Sequence, residues 1–487
     1  MKRSLLTAFI FILISSLLSV ASDKQLIEPI RYTLSFPSPE THYIEVTATI
    51  PAAGQTTLDL MMSVWTPGSY LVRDYSRHLE KVTFSTNDGV PLKGHKTSKN
   101  HWTVQTEGAA HVTASYHVYS REMTVRHNWV EDGFALINGA PTFITESSAL
   151  DRPHEVELQL PASWETAVSS LPKTSTSPII FHADNFETLI DSPIVAGKPK
   201  VYAFEIDGKS HRLVNIGDTS QWNGEQSIKD LQLIVEENRN LWGSLPYEDT
   251  YTFYNILVEG FGGGLEHKNG CTMMTSLWNS STPKLYRGWL GLASHEFFHT
   301  WNGKRLRPIE LGPFDYDNEN YTDDLWLVEG FTSYYGDLVM RRAGLLTKSQ
   351  YLGKLSGRIS YSQNVPGRHV QSLSDASYDA WIRHYKPNEN ISNSTVSYYT
   401  KGGVIGFLLD AKIRSLTENK KSLDDLMREA YKKFSGERGY KTEEFIALAS
   451  DIAGENLAPW FSSFVSSTNE LEYSEALSFF GLKFKDT

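Results

Sequence analysis

Trp289-Leu-Gly-Leu-Ala-Ser-His295-Glu296-Phe-Phe-His299, followed about thirty residues later by Trp326-Leu-Val-Glu329-Gly330, is the most informative part of this chain. An α-helix turns about 100° per residue, so positions i and i+4 share one face about a turn apart. His295 and His299 can therefore grip one ion, and Glu296, beside the first of them, leans over the open coordination position. Two imidazoles, a carboxylate able to take a proton from bound water and a third ligand from elsewhere are what a zinc hydrolase requires. A chance H-E-x-x-H arises in roughly a few per cent of chains of this size, as a surface helix with incidental histidines. Here Trp289, Leu290, Leu292 and Ala293 precede the pattern, and Phe297 and Phe298 sit inside it. Such a helix is expected to be buried, where unligated imidazoles and carboxylates are costly. Asp323 and Asp324 supply N-terminal helix signals for a second apolar segment containing Leu325, Trp326, Val328 and Phe331. Glu329 in that run reads as the third ligand, and a His/His/Glu set with an open position favours one zinc ion.

The remainder of the chain bounds the setting. With 487 residues, 40% of them hydrophobic and 12% aromatic, it can build substantial cores and two or three domains. Lys2 and Arg3, the apolar run Leu5 to Val20 and Ser19-Val20-Ala21 read as a secretory signal peptide over residues 1–21. The run is short for a membrane span and holds Ser15, Ser16 and Ser19, which favours cleavage over an uncleaved membrane anchor. Removing Lys2 and Arg3 leaves 44 basic against 57 acidic residues, a charge of −13 in place of −11. That charge argues against nucleic acid and anionic membrane as partners, so no stable membrane association is expected after cleavage. Cys271 is the single cysteine, so no internal disulfide is expected. This suits a bacterial periplasm, or secretion, and Cys271 itself reads as a small buried residue rather than a nucleophile.

Residues 28 to about 175 alternate at period two, as in Ile30–Phe36, His42–Ile50, His101–Thr106, Val112–Val118 and Glu155–Leu160, and predict an antiparallel sandwich. A helical pattern starts near Ser227, Tyr251–Val258 reads as a strand, and Gly260–Gly264 as a glycine-rich loop. From Ser349 to Trp460 the chain reads as mainly helical, with a capping box at Ser422 and Thr442 as an N-cap. The expected fold class is α+β multidomain. It comprises an N-terminal β-sandwich over 22–205, a thermolysin-like zinc catalytic domain over 206–345 and a C-terminal helical bundle over 346–487.

Several of these segments together resemble the glycyl aminopeptidase family, secreted zinc aminopeptidases that usually carry a PDZ domain and are relatives of the thermolysin-like aminopeptidases. They are Trp65-Thr-Pro-Gly-Ser-Tyr-Leu-Val-Arg73, Gly262-Gly-Gly-Leu-Glu-His267, His295 through Pro308, and Leu325 through Tyr335. The resemblance implies that His295, His299 and Glu329 are the zinc ligands and Glu296 the general base. It further implies that Glu266 pairs with the substrate's free ammonium group, although better-known relatives have Met-Glu-Asn where this chain has Leu265-Glu266-His267. The extended strand through Gly263 and Gly264 would then receive the peptide backbone. Tyr399, in Tyr-Thr-Lys-Gly402, resembles the tyrosine that donates to the oxyanion, with Tyr398 beside it as the alternative. The implied activity is removal of small N-terminal residues, glycine and alanine, from peptides with a free N-terminus. No room for a PDZ module is expected after Phe480. Asn302, Lys304, Arg305 and Arg307 could orient ligands or bind a substrate carboxylate, or simply oppose a helix dipole. An endopeptidase using the same site, or a non-catalytic periplasmic peptide-binding protein, are the alternatives.

Overall fold

In the computed structural model, which describes residues 27–485, the alternation after Ile30 becomes strands with one face buried. Tyr43–Pro51 and His111–Tyr119 pair antiparallel along their whole lengths, from Tyr43 opposite Tyr119 to Pro51 opposite His111. They lie within a seven-stranded sheet. Its inner side chains, among them Ile44, Val46, Val112 and Tyr116, share one core with Leu58, Leu60, Trp102 and Val104 of a four-stranded sheet. The expectation of a wholly antiparallel sandwich is corrected at one place. Ile30–Ser35 runs antiparallel to Tyr43–Pro51 on one side but parallel to His154–Gln159 on the other. A parallel pair needs a long crossover, and here most of the sandwich intervenes, which alternation within a strand does not register. The expected signal peptide, residues 1–21, lies outside the described residues.

A separate five-stranded sheet begins at Lys200–Ile206. Its middle strands, Lys209–Gly217, Thr250–Leu257 and Gly270–Thr275, run parallel to one another; the last two are almost wholly buried, the first mainly from Leu213 to Ile216. Burial on both faces is why Tyr251–Leu257 shows no alternation of polar and apolar residues. Gly263–His267 closes the sheet as an antiparallel edge strand, with Gly264 opposite Met273 and Glu266 opposite Cys271. The glycine run is thus a loop only as far as Gly262. Cys271 is buried and unpaired, as expected.

Helix Pro283–Phe298 starts where Thr282 accepts a hydrogen bond from the Leu285 N–H and proline occupies the first position. It buries Trp289, Leu290, Ala293, Phe297 and Phe298. The segment expected to be an ordinary helix after Asp323 and Asp324 is instead a π-helical turn, Trp326–Phe331, running into the α-helix Thr332–Arg342. Neither aspartate caps it through its side chain. The Asp324 backbone carbonyl accepts from the Leu327 and Val328 N–H groups, while the Asp324 carboxylate accepts from the Thr442 hydroxyl at 2.7 Å. Six residues are too few to separate a π-turn from an α-turn by apolar spacing.

Helix Tyr398–Leu416 packs backbone to backbone on that turn, since a Cβ on Gly330 would fall 2.5 Å from Gly402 Cα. The capping box at Ser422 is present, with Asp425 as its reciprocal partner. Thr442, however, is the first helical residue rather than the cap: Lys441 precedes it, and Glu444 accepts from the Lys441 N–H. One apolar core runs from Val64, Trp65 and Tyr70 through the five-stranded sheet and the helices as far as Ala476. Among the described residues no helix is long and apolar enough to cross a membrane.

Candidate metal centre and peptide cleft

The fold brings His295, His299 and Glu329 to one point. His295 Nε2 and His299 Nε2 lie 3.3 and 3.1 Å from Glu329 Oε2, and 3.1 Å from each other. Ligands about 2.0–2.1 Å from a tetrahedral ion stand about 3.3–3.4 Å apart, so the donor set matches zinc in spacing as well as in kind. His299 Nδ1 is 2.8 Å from the Asn302 carbonyl, which holds the proton on that nitrogen and turns the Nε2 lone pair inward. The Asn302 amide in turn donates to the carbonyls of Leu327 and Val328 at 3.1 and 3.0 Å and to Thr332 Oγ1 at 3.1 Å. Asn302 thus ties the loop after the histidines to the turn that presents Glu329.

The electrostatics ask for a cation. Burial would depress the His299 imidazolium, but the Glu329, Glu266 and Glu296 carboxylates around it outweigh this and raise it to about 10. Burial alone would raise Glu329, yet His299 beside it and hydrogen bonds from both imidazoles hold it well below the usual carboxylate range. Burial above all, with Glu266 and Glu329 adding to it, pushes Glu296 up to about 8. Three carboxylates clustered out of water are tolerated only with positive charge among them, and a divalent ion on the three ligands meets that demand.

Glu296 and Glu266 complete the cluster: one carboxylate oxygen of each lies within 4.8 Å of a His299 ring nitrogen. A side chain on Gly264 would overlap the Glu296 carboxylate, and a Cβ on Gly68 would come within 2.7 Å of Glu266 Oε1. The backbone therefore presses on both carboxylates. The basic side chains around Glu266 are committed elsewhere. Lys304 and His267 turn to Asp191 at 2.8 and 3.2 Å, and Arg126 donates to Ser69 Oγ at 2.8 Å and the Gly264 carbonyl at 3.4 Å. Glu266, only 6% exposed, is left without an ion pair among the described residues. Gly263, at φ 128°, starts the edge strand beside it.

Tyr399 lines the cleft with its ring 6.2 Å from that of His295, whereas Tyr398 is fully buried, its hydroxyl without a hydrogen-bond partner among the described residues. Burial raises the Tyr399 phenol well above its ordinary value, so it stays a proton donor. Of the four residues following the histidines, Asn302 alone holds a ligand. Lys304 pairs with Asp191, Arg305 with the Lys268 and Thr300 carbonyls, and Arg307 with the Gly312 carbonyl.

The cleft measures about 420 Å3 and is also lined by residues that sequence reasoning missed: Gly68, Arg126, Ser333, Asp337, Lys354 and Arg358. The only trace of the last two was their i,i+4 spacing, which reads as a solvated helix face.

Two family models match the chain: the Peptidase M61 N-terminal domain over residues 31–198 and the M61 glycyl aminopeptidase over residues 288–405. Together they span more than half of it. The chain belongs to the M61 glycyl aminopeptidase family. It is a metallopeptidase. Among solved structures, a protein of the aminopeptidase N family from Idiomarina loihiensis is similar at 29% identity and a TM-score of 0.88, over 92% of this chain and 78% of that one. Two structures of a variant M1 zinc metallopeptidase from Deinococcus radiodurans share the fold at 15% and 14% identity, with TM-scores of 0.57 and 0.56. Each match covers 92% of this chain and 95% of that one, and the first structure holds a Tyr-Ser-Ala substrate. No curated protein matches. The M61 match over 288–405 includes both histidines, Glu296, Glu329 and Tyr399, while Gly263, Gly264 and Glu266 fall between the two matched regions.

Proposed function

We propose that this metallopeptidase holds one zinc ion on His295, His299 and Glu329 and removes N-terminal residues, glycine and alanine above others, from peptides. The observation that carries the aminopeptidase reading is Glu266, a buried carboxylate facing the cleft beside the metal ligands and lacking an ion pair among the described residues. A substrate ammonium group supplies the missing partner through charge-assisted hydrogen bonds. With the amine held there, only the first peptide bond reaches the ligands.

Zinc, when bound, supplies Lewis acidity: it lowers the pKa of a water and polarises the scissile carbonyl. Glu296 accepts the proton of the attacking water and returns it to the leaving amine. Its carboxylate, seated against Gly264, stays in register with the strand along which the peptide lies. Tyr399 donates its phenolic hydrogen to the oxygen that becomes negative as the carbonyl is attacked. The outer edge of Gly263–His267, which pairs with no further strand among the described residues, offers backbone groups to an extended substrate. The preference for small residues rests on family membership. Export to a periplasm or outside the cell is part of the same proposal and rests on residues 1–21.

A panel of aminoacyl-arylamides, each free or N-acetylated and each with and without chelator, tests the reading. We expect glycyl and alanyl substrates to lead, acetylation to lower kcat/KM by about a hundredfold or more, and chelator to abolish turnover. Equal cleavage of free and acetylated substrates would remove Glu266 from its role and make the enzyme an endopeptidase.

A further inference from the structure

The cleft continues past the metal ligands toward the start of helix Pro283–Phe298. Gly291 and Gly288 stand one and two turns, respectively, before His295 on the side that lines the cleft. Glycine is the poorest helix former after proline, so two in one helix interior need a reason. Packing does not provide one: a Cβ on Gly288 would meet nothing within 4 Å, and on Gly291 only Lys354 Nζ at 3.6 Å and Met340 Sδ at 3.7 Å. Their bare backbone forms the floor of a trough.

At that end sit two cations and one carboxylate. Asp337, nearly buried, holds Lys354 Nζ at 2.9 Å through Oδ1 and Arg358 Nη2 at 2.8 Å through Oδ2. Arg358 Nη2 also donates to the Ser333 carbonyl at 3.0 Å. One positive charge is left over. Lys354 spends one of its three donors on Asp337, and Arg358 Nη1 makes no hydrogen bond among the described residues. Both side chains line the cleft and are partly exposed, at 39% and 26%.

The spacing has a meaning for substrate length. Glu266 clusters with Glu296 and His299, while Lys354 lies over Gly291. At about 1.5 Å rise per residue these positions are about 8–12 Å apart along the helix. An extended tripeptide spans about 10 Å. We propose that Lys354 and Arg358 bind the terminal carboxylate of short peptides, so that the enzyme acts on tripeptides free at both ends rather than on the ends of long chains. This rests on the aminopeptidase reading above, with the amine at Glu266.

Four triglycine substrates separate the two ideas: N-free or N-acetylated, each as the C-terminal acid or amide. The N-terminal comparison tests the amine site, and the C-terminal comparison tests this proposal. We expect the wild type to favour acid over amide by about ten- to a hundredfold in kcat/KM. Lys354→Met should bring the two within about threefold, and Lys354→Arg should keep most of the preference. The same acid-to-amide ratio should appear in calorimetric binding to metal-loaded Glu296→Gln, a readout independent of turnover. An acid-to-amide ratio near one in the wild type, or a ratio that survives Lys354→Met, overturns the proposal. So does a Lys354→Met protein that loses acid and amide equally, because that marks a merely structural lysine.

Discussion

At one end of the cleft, Gly68 and Gly264 press backbone against the carboxylates of Glu266 and Glu296; at the other, Gly288 looks out on open space and Gly291 meets only the ends of Lys354 and Met340 at ordinary contact distance. The same residue type serves opposite ends. Where chemistry is done, the missing side chain lets the main chain approach and leaves the carboxylates one position each. Where the leaving part of a peptide would lie, the missing side chain keeps volume free, and charge is set further out on Lys354 and Arg358. Rigid placement thus comes from crowding, and substrate room from deliberate vacancy on a helix. The contrast predicts that adding a methyl group has opposite consequences at the two ends.

The largest effect is expected at the crowded end. Gly264→Ala puts its Cβ into the Glu296 carboxylate, which has to move from its seat. Displacing a general base costs about 10²–10⁴ in kcat, and Glu296→Gln sets the floor of that range. Neither change touches His295, His299 or Glu329, so zinc content by elemental analysis should stay at one ion per chain. A Gly264→Ala enzyme with wild-type kcat would show that the strand does not position the base.

The backbone contact behind the third ligand comes next. A Cβ on Gly402 would fall 2.6 Å from the Trp326 carbonyl oxygen, and the mirrored contact at Gly330 is as close. Gly402→Ala must separate helix Tyr398–Leu416 from the turn that carries Glu329. Overpacking of this kind destabilises by about 1–3 kcal/mol, read as a lowered urea midpoint at unchanged slope. Because Tyr399 lies in the first turn of the same helix, activity should fall with stability. An unchanged midpoint would mean that the contact can relax at no cost.

The two ends also differed in how visible they were from the amino-acid sequence. His295, Glu296 and His299 could be read because a helix repeats every i+4 and because the phenylalanines between them declared burial. Glu329 was legible as an acid in an apolar run, although the π-turn that presents it was not. Glu266 depended on family resemblance, since a glutamate after glycines is locally indistinguishable from one in a solvated turn. Lys354 and Arg358 left no usable signal. Cations four apart on a helix look like a wet surface, and their partner Asp337 belongs to another helix. In the fold, alternation revealed the strands but not the parallel pairing of Ile30–Ser35 with His154–Gln159. Side-chain spacing reports which face of a strand is buried, and neighbours distant in sequence leave no mark on it.

The smallest effect, and the one that sharpens the contrast most, is at the open end. Replacing Gly288 by alanine adds a methyl group where nothing lies within 4 Å, in the interior of helix Pro283–Phe298. Alanine lowers the conformational entropy of the unfolded chain and favours the helix by about 0.5–1 kcal/mol. The variant should therefore unfold at a slightly higher urea concentration than the wild type. If the trough holds the leaving part of the substrate, kcat/KM for triglycine should drop by a few-fold at most, about 2–5, while a glycyl-arylamide, which places a flat ring there instead of a peptide, should be affected differently. A variant both less stable and less active would assign Gly288 to packing. One more stable and less active would show that a less stable helix is retained to leave space for substrate, the reverse of the logic at Gly264.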